Sequence, residues 1–127
     1  MKTTIIGGTH ERNMWMYLEN HLGPEELDYE DLVIIDVNTL ENDEQLFTDR
    51  VGLRIAMDYV NDPDKIIILM GQEPEEVLWS VPEFIELMSR SNVDFVDFLD
   101  PHLIPDLYQK LSNRKNSYRD NAQGTLT

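Results

Sequence analysis

The sequence contains no cysteine, and this absence excludes several kinds of chemistry at once. Disulfide bonds, thiolate nucleophiles and zinc sites with thiolate ligands all require cysteine. Apolar runs are also short, and none approaches the roughly 20 residues that a membrane-spanning helix needs. Only a brief apolar stretch follows Lys2 before a double glycine, so we expect neither a signal peptide nor a membrane anchor. The expected location is the cytoplasm.

Basic residues are scarce: 10 Lys and Arg stand against 25 Asp and Glu, which gives a formal net charge of −15. Such a charge repels nucleic-acid phosphates and anionic lipids, so neither is an expected partner. Residues 110–127 depart from this pattern, with 4 Lys or Arg and a single acid. We therefore predict one domain over residues 1–112 and a polar, basic, flexible tail over residues 113–127. Three basic residues of this tail could rest on the acidic body: Arg114, Lys115 and Arg119.

Short apolar runs alternate with longer segments of helical periodicity, four times along the chain. The predicted strands are Thr3–Ile6, Leu32–Val37, Lys65–Met70 and Val93–Leu99. Strands that alternate with helices are typical of an α/β fold, here a three-layer sandwich of flavodoxin-like architecture with four or five parallel strands. Right-handed crossovers favour the strand order 2-1-3-4, in which strands 1 and 3 are central. Strand 4 alternates apolar and charged residues, which predicts an edge strand.

Apolar residues that recur every three or four positions predict a helix after each strand. Thr9 is the expected N-cap of the first helix. The second is expected over about Asp43–Val60, and its inner side includes Leu46 and Phe47. In the third, Pro82 predicts a kink or two shorter helices. The last is expected over about Pro101–Ser112.

Parallel α/β sheets bind ligands at the carboxyl ends of their strands. The glycine pair after strand 1 opens a helix whose N-terminus could hold an anion, and Asp36 ends strand 2, where dinucleotide sites use an acid to bind ribose. The G-x-G-x-x-G and P-loop patterns are absent, so a nucleotide or small-molecule site stays an alternative. The candidate ligand-binding residues are Gly7, Gly8, Thr9, His10, Asp36, Gly71 and Gln72.

The stretch from Ile5 to His10 resembles the start of the aspartoacylase and succinylglutamate desuccinylase enzymes, which are zinc hydrolases. That family's motif has a ligand glutamate three residues after the histidine, where this chain has Asn13. The resemblance implies a degenerate fragment of a metal hydrolase as a further alternative. We expect no metal site and no cofactor, because zinc catalysis needs three protein ligands and a water.

A longer segment, from Tyr29 onward, resembles the receiver domains of two-component response regulators. The strand that ends at Asp36 is similar to the strand that carries their phosphorylated aspartate, and Val93–Pro101 is similar to their final strand. The resemblance implies a receiver-like fold with Asp36 at the phospho-acceptor position. Several family residues differ: Gly7 and Gly8 replace an acidic pair, Met70 a Thr or Ser, and Asp100 a Lys. The segment before Asp36 is also short by about one strand and helix.

These departures remove the groups that phosphoryl transfer needs, and no other complete catalytic motif is present. We therefore expect a non-enzymatic receiver-like regulatory module that acts by binding a protein partner or a second copy of itself. Receiver-like domains often pair through their last helices and strand. The candidate interface residues are Trp79, Phe84, Leu103 and Tyr108.

Overall fold

Four parallel strands form one sheet with helices on both of its faces, so the predicted α/β class is confirmed. The structure is a computed structural model that describes the backbone of residues 2–125 and the side chains of residues 2–116. The strands are β1 (Thr4–Ile6), β2 (Leu32–Asp36), β3 (Ile66–Gly71) and β4 (Val93–Asp97). The helices are α1 (Glu11–His21), α2 (Val51–Tyr59), α3 (Glu75–Leu78), α4 (Pro82–Met88) and α5 (Ile104–Thr125). Within residues 2–125, no helix combines the length and apolar character that crossing a bilayer requires.

The strand order is β1-β2-β3-β4, so the predicted order 2-1-3-4 was wrong. β1 is an edge strand: it pairs only with β2, as in Ile5↔Ile34, and its Thr4 is exposed. The two central strands are β2 and β3, in which every residue is buried, as their unbroken apolar runs indicate. The prediction of β4 as an edge strand is confirmed.

The helices divide between the two sheet faces in a way that explains the incorrect order. α1 and α5 cover one face, where Met14 and Ile104 join the core, whereas α2 and α4 cover the other, where Leu53 and Phe84 are buried. The connections β1–α1–β2 and β2–α2–β3 step in the same direction across the sheet, but their helices lie on opposite faces. The two connections are therefore of opposite hand, whereas the prediction assumed right-handed crossovers throughout.

This division opens a crevice at the carboxyl edge of the sheet. The helices that follow β1 and β4 are α1 and α5, and both lie on the same face of the sheet. The helices that follow β2 and β3 are α2, α3 and α4, and they lie on the other face. The carboxyl ends of β2 and β3 are therefore left uncovered on the face of α1 and α5. Crevices where neighbouring connections part to opposite faces are the usual ligand sites of α/β sheets.

The second helix begins later than predicted, at Val51 instead of Asp43. Arg50 has a φ of 50°, in the left-handed region, and separates α2 from the 3-10 turn Phe47–Asp49. Leu46 and Phe47 are exposed, so their predicted place on the inner side of the helix was wrong.

Pro82 divides the third helix as predicted, since α3 ends at Leu78 and α4 begins at Pro82 itself. The predicted end of the last helix at Ser112 was wrong, because α5 continues to Thr125. Lys115, one of the basic residues that could rest on the acidic body, does contact it: its Nζ lies 3.1 Å from Asp31 Oδ2. The side chain of Arg119 lies outside the described residues. The division at residue 112 and the flexibility of the segment that follows stay predictions.

Candidate functional site

A cavity of about 440 Å³ occupies the crevice at the carboxyl edge. Three of the candidate residues, His10, Asp36 and Gln72, line it together. Gly7, Gly8, Thr9 and Gly71 are not among its lining residues. The other lining side chains come from α1, from the segment after β2 and from the end of β4, and they include Tyr17, Asn38, Phe47 and Phe98.

Asp36 ends β2 and is the buried acid of this cavity, with only 7% of its surface exposed. Its Oδ1 accepts a hydrogen bond from the backbone N–H of Asn38 at 3.0 Å, and no described residue donates to Oδ2. Burial raises the pKa of Asp36 above its ordinary value, because a low-dielectric environment disfavours the charged form. The hydrogen bond from Asn38 and the charge of His10 oppose this effect on the pKa.

Behind Asp36, a polar network joins the segment after β2 to the segment after β3. Asn38 Nδ2 donates to Glu73 Oε2 at 2.9 Å, and Asn38 Oδ1 accepts from the N–H of Gln72 at 3.3 Å. Arg50 holds both oxygens of Glu73, through Nε at 2.8 Å and through its Nη2 at 2.7 Å. These bonds lower the pKa of Glu73, and the contribution of Arg50 is the largest. The network fixes the loops that form one side of the cavity.

The glycine loop before α1 packs against the protein itself. Gly8 has a φ of 56°, and a Cβ at this position would lie 2.4 Å from the carbonyl oxygen of Leu40. The N–H of Thr9 donates to that same carbonyl at 2.8 Å, and the N–H of His10 donates to the carbonyl of Gly7 at 3.0 Å. Thr9 does not cap the helix through its side chain, so that prediction was wrong. Two of the amides that a bound anion would need are therefore already used.

An aromatic pair closes the cavity between α1 and β4. The rings of Tyr17 and Phe98 are stacked, with centroids 4.5 Å apart and an interplanar angle of 6°. Tyr17 Oη donates to the carbonyl of Phe98 at 2.6 Å. Burial, followed by the negative charges of Asp100 and Asp97, raises the pKa of Tyr17. The tyrosine is therefore a neutral donor.

The residues behind the zinc-hydrolase resemblance lie near one another but form no ligand set. His10 and Asn13 both line the cavity. The next histidine along the chain, His21, is no third ligand beside them, because it lies exposed at the end of α1 with its Nδ1 2.8 Å from the carbonyl oxygen of Tyr17. In the part of the chain that the structure describes, no group of three His, Cys, Asp or Glu residues could hold a metal ion.

The candidate interface residues have different environments. Trp79 and Leu103 are exposed, by 45% and 42%. Phe84 is fully buried, so it offers no surface to a partner and its selection was wrong. Tyr108 is half-buried, stacks on Tyr29 with ring centroids 3.9 Å apart, and donates to Asp31.

A second, slightly larger cavity of about 520 Å³ lies at the opposite, amino-terminal edge of the sheet. Two of its polar side chains, those of Asn92 and Lys115, already bond within the protein. Asn92 donates to the carbonyl of Lys65 at 3.0 Å, and Lys115 binds Asp31. We regard the cavity at the carboxyl edge as the functional candidate, because it contains a buried acid with an unused oxygen.

No protein-family model, curated protein or solved structure matches this chain. Functional inference therefore depends on the contacts described above.

Sequence reasoning missed the network and the aromatic pair. In the sequence, Glu73, Glu75 and Glu76 together are typical of an acidic helix start. That interpretation is right for the latter two, which lie in the first turn of α3, and wrong for Glu73. Asn38 had a usable signal, since a polar residue two positions after the end of a buried strand lies at the functional edge. Tyr17 and Phe98 had no such signal, because 81 positions separate them.

Proposed function

We propose that the protein is a receiver-like regulatory module that acts by binding another protein and does not transfer phosphoryl groups. The observation that carries this proposal is the division of the helices between the sheet faces. In the flavodoxin-like order 2-1-3-4-5 with right-handed connections, the first and last helices share one face and the middle helices share the other. Removal of the second strand and the helix after it leaves four strands in the order seen here.

The remaining helices also agree with this derivation. α1 and α5 share one face, while α2, α3 and α4 contribute to the core on the other. The derivation also accounts for the connection β1–α1–β2, whose hand differs from that of β2–α2–β3, because the strand and helix would have been removed at this point of the chain. The chain between β1 and Asp36 is short by the same unit. In this correspondence β2 takes the role of the third strand, and Asp36 stands at the phospho-acceptor position.

The surroundings of Asp36 support a module without phosphoryl transfer. Such transfer needs a metal ion and a cation to stabilise the developing negative charge. The described residues that line the cavity include no Lys or Arg. Arg50, at the same edge, is already bound by both oxygens of Glu73. Asp36 is therefore without the partners that would activate it.

We expect acetyl phosphate with Mg²⁺ to leave the protein unmodified. Asp36 is largely buried and no Lys or Arg is among the described residues that line its cavity, so the negative charge that develops in phosphoryl transfer would not be stabilised. Intact-mass spectrometry would detect a phosphoryl adduct, with the Asp36→Asn variant as the control. An adduct on the natural sequence that is absent from the variant would refute the proposal.

Trp79 is the residue we propose as the centre of the protein-binding surface. It is exposed by 45% and is held by Phe84, whose ring meets it edge to face at a centroid distance of 5.1 Å. Ordered, exposed tryptophans are frequent centres of protein interfaces. Val77 and Ile85, on α3 and α4, are also exposed. We expect a second copy of the chain to bind this surface.

Self-association should increase with salt. Two chains of charge −15 repel each other, and salt screens that repulsion, while apolar contact at Trp79 is retained. Sedimentation at low and high salt should therefore give a larger average mass at high salt, and Trp79→Ser should abolish the increase. Met16→Ser, which removes another exposed apolar residue, should not. A monomer at every concentration in both buffers would exclude self-association and leave a different protein as the partner.

The cavity favours a second candidate function, the binding of a small molecule. Its volume of about 440 Å³ falls within the usual range for ligand sites, and aromatic walls together with converging polar groups are typical of them. The nucleotide and metal-hydrolase alternatives have less support. Two amides of the glycine loop, those of Thr9 and His10, are occupied, and the buried acid Asp36 would repel a phosphate.

A further inference from the structure

We propose that the cavity at the carboxyl edge binds a small organic cation, with a protonated amine of the ligand donating to Asp36 Oδ2. This inference rests on the second candidate function, the small-molecule site. It does not depend on protein association, because Trp79 is not among the residues that line the cavity.

One oxygen of the Asp36 carboxylate, Oδ2, has no described hydrogen-bond donor. Asp36 is exposed by 7%, and its described hydrogen bond satisfies Oδ1 alone. Oδ2 is not among the fully buried polar atoms that lack a partner, so it keeps contact with the cavity, but the carboxylate as a whole is poorly solvated. A ligand ammonium at Oδ2 would supply the missing partner and would favour the charged form that burial disfavours.

The charge around the cavity favours a cation. The described lining residues contain no Lys or Arg, and Arg50 is neutralised by Glu73. The chain as a whole has a net charge of −15, which raises the local concentration of cations and lowers that of anions. A carboxylate or phosphate ligand would be repelled by Asp36, and among the described lining residues His10 alone could carry a compensating positive charge.

One wall of the cavity is aromatic. Tyr17, Phe47 and Phe98 all line the cavity. Aromatic faces attract organic cations through the ring quadrupole. They also cover apolar parts of a ligand. A metal ion would gain little from these rings, and the described residues offer no ligand set for one. The ligand is therefore an amine with an apolar or flat body.

Isothermal titration calorimetry with benzylamine tests the inference, and benzyl alcohol is the uncharged probe of the same shape. We expect benzylamine to bind once per chain and at least about tenfold more tightly than the alcohol. Asp36→Asn keeps the shape of the side chain and should weaken benzylamine binding at least about tenfold. Asp43→Asn removes the same charge from an exposed position after β2 and should leave the affinity unchanged.

A second variant tests whether the aromatic side chains of the cavity contribute to binding. Phe47 is 40% exposed, so Phe47→Ala should fold normally. It should weaken benzylamine binding several-fold while changing the binding of butylamine less. Thermal unfolding checks the Asp36→Asn protein, which should melt no lower than the natural sequence because a buried charge has been removed.

Three results would overturn the inference. They are equal affinity for benzylamine and benzyl alcohol, equal losses in Asp36→Asn and Asp43→Asn, and no saturable binding of either amine up to about 10 mM. Each of these results would refute the proposed cation site. The receiver-like proposal would be unaffected, because the acetyl phosphate and sedimentation experiments test it separately.

Discussion

Gly52→Ala is expected to lower the free energy of unfolding by about 3 kcal/mol or more, as severe overpacking does. A Cβ on Gly52 would lie 1.9 Å from the carbonyl oxygen of Asp36 and 2.8 Å from Val37 Cα. Both are backbone atoms. They cannot move aside easily, because the N–H of Val37 donates to the carbonyl of Met70 on the neighbouring strand. Urea denaturation would measure the change.

Gly23→Ala is the matched control for that substitution. A Cβ there would meet only the flexible side chain of Glu25, at 3.2 Å, and the φ of Gly23 is −68°, which alanine adopts readily. We expect a change of within about 1 kcal/mol. Similar effects of the two substitutions would contradict the close approach of α2 to the end of β2.

Arg50→Met is expected to destabilise the protein by about 2–3 kcal/mol. The substitution leaves the carboxylate of Glu73 buried with Asn38 as its described partner. Loss of one member of a fully buried pair costs about 3–5 kcal/mol, and the 21% exposure of the Arg50 side chain reduces that figure. Arg90→Met is the control, because Arg90 forms an exposed pair with Glu86 whose loss should cost about 0.5 kcal/mol or less. Equal losses would show that burial of the Arg50 pair has no energetic effect.

The contribution of this pair to stability should also depend on pH. The pKa of Glu73 is lower in the folded protein than its ordinary 4.5. The unfolded chain therefore binds more protons than the folded one below about pH 4.5, and stability falls as the pH falls through the folded pKa. The difference in stability between the natural sequence and Arg50→Met should shrink over that range. Asp36 acts in the opposite direction: its raised pKa means that stability is lost as the pH rises through the folded value.

The sequence was sufficient to predict the elements of the sheet but not their order. The apolar runs of β2 and β3 are unbroken, and such runs predict strands that are buried on both faces. Pro82 predicts the division of the third helix because proline lacks the N–H that a continuous helix needs. The order depended on the assumption that every crossover is right-handed, and no local residue reports the hand of a connection. The three-residue length of β1 and the exposure of Thr4 agree with an edge position.

Part of the site was predictable for a geometric reason. His10, Asp36 and Gln72 follow or end parallel strands, and the carboxyl ends of parallel strands meet at one edge. Arg50 and Glu73 were missed because their pairing joins two loops 23 positions apart. In sequence, each has the appearance of an ordinary surface charge. Long-range ties of this kind leave no periodic signal.

The short β1 ladder has a dynamic consequence. It joins three pairs of facing residues, Thr4 to Ile6 with Val33 to Ile35, whereas the β2–β3 ladder joins five. Cooperative units with few buried contacts open at the lowest free energy. The unit formed by β1 and α1 is therefore the part of the sheet that separates first. Because Tyr17 lies on α1 and His10 directly precedes this helix, fluctuations of this unit would expose Asp36 while the central strands stay paired, and ligand exchange would need no wider unfolding.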